Sequence, residues 1–427
     1  MSDSPGCVVD FTEGLAMVLE EAGRVQLPGN ERVALPSSAG RVLAESIVAD
    51  RDQPPFDRST RDGFAVKAEE WSAGKKLRVA GQVRAGEALR GAQIASDEAV
   101  EIMTGAPVPA GVDAVAMVEH AEQSGSKVWA TAGRTLRVGE NLVPRGSEAR
   151  AGDVLAPRGV VMGVAEIALA AACGCAEIAV HRRPRVTVVA TGDELVEIGD
   201  TPAAHQIRNS NSYALAALVA QAGGDAQRLP IARDTREDLR GRIGEARGAD
   251  LLLLSGGVSA GKYDLVEGVL AEFGAEFFFT GVKMQPGKPV VFGRMPKTAS
   301  QQVSKSAGQR NGGEWLYFFG LPGNPVSTEV TFHCFVAPLL RALCGASQDS
   351  IAPKFVQGTL IEDVRAKPGL TRLLPALLTH DLEQPKVRLV RWQGSGDLAA
   401  NARANCYAVL PDGRDLQAGD VITMLLR

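Results

Sequence analysis

Three short stretches hold most of the side chains that could do chemistry. They are "TGDEL" (Thr191 to Leu195), "SGGVSAGKYD" (Ser255 to Asp264) and "LPGNPVS" (Leu321 to Ser327). Each follows an apolar run, "VVA", "LLLL" or "YFFG", of the kind that forms a buried strand. In an open α/β sheet, ligands bind beyond the carboxyl ends of the strands. Parallel strands would therefore bring all three loops to one edge. Backbone N–H groups of several glycines and the N-termini of following helices would point there, which is equipment for an anion. Asp193, Glu194 and Asp264 would stand beside it. Carboxylates next to a phosphate site imply a divalent cation with oxygen ligands, typically magnesium.

Each part also has a plainer reading. Asp264 and Asn324 could simply cap helices, the latter with Pro325 at the first helical position. Asp234 reads as the head of a capping box closed by Glu237, and Asp193 could make an Asx turn. Convergence of the three loops is what favours a site. Competing motifs fit less well. Gly256 to Lys262 spells G-x-x-x-x-G-K, but Tyr263 stands where a P-loop needs a hydroxyl for magnesium. The dinucleotide spacing of glycines at i, i+2 and i+5 is absent. Gly257, Ser259 and Gly261 spell a nucleophile elbow, yet His333 falls mid-helix and His380 in a terminal β unit, so no base is supplied.

The elements that must position these loops alternate strand and helix from residue 183 onward. "RVTVVA" is a strand, and "SNSYALAALVAQAGG" a helix ending at Gly223. "AQRLPIA" is a strand and "DTREDLRGRIGEARG" a helix. After "LLLL" comes a helix from about 264 to 273, then strands near "AEFFFTGV", "KPVVFG" and "WLYFFG". A long apolar helix runs from Pro325 to about Leu343. Such repetition predicts a mostly parallel sheet covered on both faces. Before it, "FTEGLAMVLEEAGR" (11–24) reads as an amphipathic helix with Thr12 as candidate cap. "GVVMGVAEIALAAACG" (159–174) also has helical spacing. Short alternating runs over 63–139 and 355–427 predict small β units. Residues 296–313 lack any apolar period and read as an exposed loop.

Composition sets bounds on this picture. The chain has 427 residues, 45% of them hydrophobic and 22% charged, with a formal net charge of −4. Length alone implies roughly two to four domains. A slightly acidic balance argues against nonspecific nucleic-acid binding. Cys173 and Cys175 are the only close pair of the six cysteines, with no second pair or nearby histidines to complete a metal set. With no secretory segment after Met1 and no apolar stretch long enough for a bilayer, a cytoplasmic protein is expected.

Taken together, the loops resemble the molybdopterin molybdenumtransferases, the bacterial MoeA-type relatives of the gephyrin E domain. "GRVLAESIVADRDQPPFDRSTRDGFAV" is similar to that family's first signature and "EIMTGAPVPAGVDAV" to its second. "TGDEL", "IRNSNSYAL", "SGGVSAGKYD", "PGKPVVFG" and "GLPGNPVS" follow in the family's order, and "QGSGDLAANARAN" (Gln393 to Asn405) fits its closing motif. The resemblance implies a multidomain α/β protein, its central mostly parallel three-layer sheet domain flanked by smaller β-rich domains. The division expected is an N-terminal mixed domain (1–50 plus 140–182), an inserted β-rich domain (51–139), an α/β molybdopterin-binding domain (183–344) and a C-terminal β domain (345–427).

It also implies a transferase of molybdenum cofactor biosynthesis. Such an enzyme inserts molybdenum from molybdate into adenylated molybdopterin, releasing AMP with magnesium as cofactor. Carried over by position, Glu194 and Asp264 are the acidic, metal-binding residues of the cleft, and Asp234 is a third catalytic acid. Gly256, Gly257 and Ser259 would hold phosphate. Lys288, Pro322, Gly323, Asn324 and Ser327 would line the pterin or molybdate side. The implied assembly is a homodimer whose subunits share the cleft, with Asp62, Thr104 and Glu148 reaching it from the other subunit. Molybdopterin adenylyltransferase and molybdoenzymes are the further partners it suggests, with no nucleic acid and no membrane.

Several positions depart from the family pattern. Thr60 and Arg61 precede Asp62 where the family has a small residue and Met. Gln285 stands where Lys is common, with Lys283 two residues away. Leu370 and Pro375 occupy two usual Arg positions near Arg372. Two other readings stay open: a catalytically reduced binding module for molybdopterin or its molybdenum cofactor, and a molybdopterin adenylyltransferase-like enzyme.

Overall fold

The computed structural model describes residues 7–87, 93–257, 263–298, 314–379 and 384–427, and for 263 and 264 the backbone alone. The chain divides into two compact units. One comprises Met1–Ala44, Gly159–Gly163 and Ile178–Arg427; the other comprises Glu45–Arg158 and Val164–Glu177.

At the centre of the first unit is a six-stranded sheet. Its strands are β1 (Arg185–Ala190), β2 (Asp225–Arg228), β3 (Leu251–Ser255), β4 (Glu276–Phe279), β5 (Val291–Pro296) and β6 (Trp315–Leu321). Their spatial order is β2-β1-β3-β6-β5-β4. The first four strands in that order run parallel, and β5 and β4 are antiparallel to their neighbours. Strand β2 stops at Arg228, short of Pro230, which has no N–H for a ladder.

The "LLLL" run shows why both sheet faces are covered. Leu251 and Leu253 pack into one core with Val186, Val188, Leu215 and Val219. Leu252 and Leu254 pack into another with Leu239, Ile243, Val266 and Leu270. A strand's side chains alternate, so four consecutive leucines need apolar partners on both sides. Helix α1 (Asn211–Gln221) supplies one face, and α2 (Arg236–Glu245) with α3 (Tyr263–Glu272) the other. Each fully buried leucine contributes about 1.5–3 kcal/mol of transfer free energy.

Helix α4 (Pro325–Thr331) continues through a π-helical segment, Phe332–Val336, into the helix Ala337–Leu343. The long apolar helix read from the sequence is thus present, with a wider turn inside it. The last strands form a further sheet with its own core of Leu360, Ala376, Val387, Cys406 and Met424.

The second unit holds a six-stranded sheet built from Gly63–Val66, Leu77–Val83, Glu98–Ile102, Ala114–Met117, Ala121–Ser124 and Lys127–Ala130. Trp71, Phe64 and Leu77 are buried on one side of it, and Val100, Ile102 and Val115 on the other. This matches the β unit expected over 63–139.

Some local expectations shift. The N-terminal helix runs Phe11–Ala22 and is capped by Asp10, not Thr12, with the Asp10 N–H donating to Glu13 Oε2 at 3.4 Å. The 159–174 segment is helical only over Val164–Ala172. "AEFFFTGV" breaks into two strands, Glu276–Phe279 and Gly281–Val282. Most of the loop expected over 296–313 lies outside the described residues.

Candidate active site at the strand ends

Strands β1, β3 and β6 end level with one another. Ala190 stands opposite Ser255, and Ser255 opposite Leu321. The three loops therefore leave the sheet on one edge, as the parallel reading requires. They also touch. The Thr191 N–H donates to Ser255 O at 2.9 Å, and the Gly256 N–H to Leu321 O at 3.2 Å. A Cβ on Gly323 would lie 3.6 Å from Gly256 Cα.

Close approach explains the glycines. Gly256 has φ +95°, and a Cβ there would collide with the Thr191 carbonyl oxygen. Gly257 has φ +69°, with a Cβ position 3.0 Å from Thr191 Cγ2. Only glycine tolerates both the left-handed backbone and the contact. Because the Gly256 N–H is already bonded, this residue's part at the edge is to leave space rather than to donate.

Asp234 differs from the capping-box expectation. The cap of α2 is Thr235, whose Oγ1 accepts from the Asp238 N–H at 3.3 Å. That one-residue shift turns Asp234 toward the strand ends. Its Oδ1 accepts from Thr191 Oγ1 at 2.9 Å, and its N–H donates to Asp193 Oδ1 at 3.3 Å. Asp193 and Glu194 are exposed and Asp234 half-buried. The edge thus carries a group of carboxylates held by "TGDE" and "RDT". Asn324 is the N-cap of α4 by position, yet its side chain makes no cap. Its Nδ2 donates instead to Ser395 Oγ at 2.9 Å, while the Val326 N–H donates to Ser395 O at 3.0 Å. Pro322 is buried, Gly323 exposed, and Ser327 only 4% exposed. Ser327 therefore sits beneath the edge.

Lys288 is exposed, and its carbonyl accepts from the Val282 and Val290 N–H groups, each at 3.0 Å. Lys283 is committed elsewhere, 3.1 Å from Asp10 Oδ1. Gln285 accepts from Lys367 Nζ at 3.3 Å and stands in register with Arg372. Two cations from the C-terminal sheet thus flank the position where the family often has Lys. Burial lowers the Arg372 pKa, and its guanidinium donates to Arg365 O at 3.1 Å.

The other unit holds Asp62, Thr104 and Glu148. Asp62 Oδ1 accepts from the Thr104 N–H at 2.6 Å and from Thr104 Oγ1 at 2.8 Å. These bonds, the backbone one foremost, pull the Asp62 carboxyl below its ordinary range. The donor to Asp62 Oδ1 is Thr104, not the neighbouring Arg61. Glu148 pairs with Arg58 at 3.2 Å.

Ser259 and the Asp264 side chain lie outside the described residues. Among the described residues, no group of three or more His, Cys, Asp or Glu side chains is placed to hold a metal ion. None of their helices is long and apolar enough to cross a membrane. Sequence reading missed Thr191, Asn211, Thr328 and Ser395. Each is a small polar residue inside a quoted motif or, for Thr328, just beyond one, without a charge to attract notice.

Three family descriptions cover the chain in series: MoeA N-terminal region (domain I and II) over residues 9–174, probable molybdopterin binding domain over 187–342, and MoeA C-terminal region (domain IV) over 357–426. The chain is 32% identical over 404 residues to the molybdopterin molybdenumtransferase of Staphylococcus aureus strain Mu50, covering 92% of this chain and 90% of that protein. It is 31% identical over 425 residues to that of Staphylococcus epidermidis, covering 98% and 95%. A molybdopterin biosynthesis MoeA protein from Pyrococcus horikosii superposes with a TM-score of 0.72 at 30% identity, covering 98% of this chain and 99% of that one. Loops gathered at the level ends of parallel strands, in a multidomain α/β chain, define the class. The chain belongs to the molybdopterin molybdenumtransferase family.

Proposed function

We infer that the protein is the molybdenum-inserting enzyme of molybdenum cofactor biosynthesis, taking molybdate and adenylated molybdopterin and releasing AMP. The observation that carries this is the level ending of β1, β3 and β6, which sets glycine turns beside the Asp193, Glu194 and Asp234 carboxylates. The glycine turns suit the pyrophosphate of the nucleotide, since backbone can approach closely where no Cβ intervenes. Lys288, with Lys367 and Arg372 near Gln285, suits the tetrahedral molybdate dianion.

Magnesium fits the donor set. Carboxylate oxygens are its preferred protein ligands; Glu194, exposed at the edge, would hold it together with Asp264. When bound, it would offset the charge that builds as the phosphoanhydride breaks. The chain's own residues do the rest. Asp234, fixed by Thr191, holds negative charge at a set place on the edge, and the Gly256 and Gly257 turn keeps the Thr191 strand end against the nucleotide loop. Asp62, kept ionised by Thr104, is the acid assigned to the partner's cleft.

A homodimer is part of the reading. The helix Val164–Ala172 is almost wholly apolar, yet only Ala170 is buried, and Val164 is 88% exposed. An apolar helix left in water favours a covering copy. A cytoplasmic location suits the free thiols of Cys7, Cys173, Cys334, Cys344 and Cys406.

The test is to incubate the purified protein with adenylated molybdopterin, magnesium and molybdate. AMP and molybdenum-loaded cofactor should appear in equal amounts. Retention of the nucleotide without AMP would favour a binding module, and its synthesis from ATP an adenylyltransferase.

A further inference from the structure

One side chain ties the loops together without belonging to any of them. Asn211 is the first residue of α1, and its Nδ2 donates to Gly323 O at 2.8 Å, with Ser255 Oγ at 3.0 Å and Thr328 Oγ1 at 3.3 Å. Ser255 is the last residue of β3, immediately before the Gly256 turn. Gly323 lies in the turn after β6. Thr328 in α4 passes the link on, since its Oγ1 donates to Pro322 O at 2.6 Å. The orientation of the amide follows from chemistry. A carbonyl oxygen can only accept, so the NH2 end must face Gly323. Two N–H bonds serve three acceptors, so the bond to Thr328 is the shared and longest one.

Asn211 is not needed to cap α1. The cap residue is Ser210, and the Ser212 N–H is met by Asn209 Oδ1 at 3.2 Å. Its amide is spent on holding β3 and β6 loops together. Gly256 and Gly323 already approach within contact, so loss of this bridge would let the two turns separate.

We propose that Asn211 is a positioning residue for the reaction, clamping the turns at Ser255–Gly256 and Pro322–Gly323 at the spacing the pterin nucleotide requires. This rests on the function inferred above. The test uses the full-length protein with Asn211→Leu and Asn211→Asp. Both have nearly the shape of asparagine and neither can donate a hydrogen bond. Aspartate also suits the first turn of a helix, so α1 should not suffer. In steady-state assays with adenylated molybdopterin, molybdate and magnesium, kcat/KM per folded molecule should fall about 10- to 100-fold in both. Thermal unfolding should stay close to that of the unmodified protein. Thr328→Val, which removes the relay hydroxyl while keeping a branched side chain, should give a smaller fall of the same kind. Wild-type kcat/KM in Asn211→Leu would overturn the clamp, as would a loss confined to Asn211→Asp, which would mark charge repulsion instead. If Asn211→Leu does not fold, Thr328→Val decides, and full activity there overturns it. An unmodified protein that releases no AMP would defeat the functional reading rather than the clamp.

Discussion

Asp234 changes meaning with a shift of one residue. As the head of a capping box it would be structural; with Thr235 as the cap it becomes an acid facing Thr191. The two readings separate by substitution. Thr235→Ala should cost about 1 kcal/mol of stability, the ordinary value of a lost N-cap. Asp234→Asn, which can still accept from Thr191, should leave stability nearly unchanged and cut AMP release on the order of 100-fold. Denaturant unfolding and the AMP assay check both. Gly256→Ala should fail on both counts, since its Cβ would meet the Thr191 carbonyl at φ +95°. Gly256 stood out in the sequence because glycine runs are conspicuous. Thr191 and Asn211 did not, because a lone threonine or asparagine at a strand or helix end has many ordinary uses. The register of the Asp234 cap could not be read either, since Asp and Thr are both good N-caps and stand side by side.

Elements were read more securely than their edges. "LLLL" and "RVTVVA" became strands because each demands apolar cover on both faces, and that demand also fixed their place inside the sheet. The link from α4 to the C-terminal sheet was invisible, because it joins residues far apart in sequence. There Glu329 Oε2 accepts from Asn401 Nδ2 at 2.6 Å, and Oε1 lies 2.5 Å from Arg427 Nη2. His333 Nε2 stands 3.8 Å away. Burial alone would raise the Glu329 carboxyl, but His333, Arg427 and Asn401 outweigh it and hold it down at about 2. A carboxyl depressed on folding stabilises the protein above its unfolded value near ~4.3 and loses that effect as pH falls toward 2. The full effect is about 3 kcal/mol. Unfolding followed between pH 5 and 3 should show Glu329→Gln less stable at pH 5 and less sensitive to acid than the unmodified chain. Parallel pH profiles would refute the assignment.

At the scale of the whole molecule, each proposed cleft takes residues from two subunits, Glu194 and Asp264 from one and Asp62 from the other. Co-expressing Asp62→Ala with Glu194→Ala chains should therefore restore activity that neither variant has alone. Random pairing makes half the dimers mixed, each with one intact cleft, so recovery should be about a quarter of normal. No recovery would mean that each cleft draws on a single chain. The family was legible because ordered motifs span nearly the whole sequence, and the three family matches follow the same order. The exposed apolar face of Val164–Ala172 could not be told from a buried one in the sequence, since both have the same helical spacing. The central claim, that acidic groups at the strand ends drive cleavage of the pterin nucleotide, has a direct measurement. It is AMP release in a single turnover by Glu194→Ala and by Asp264→Ala, beside the unmodified protein. The account predicts that both variants fold normally and release no AMP; normal release by both would contradict it.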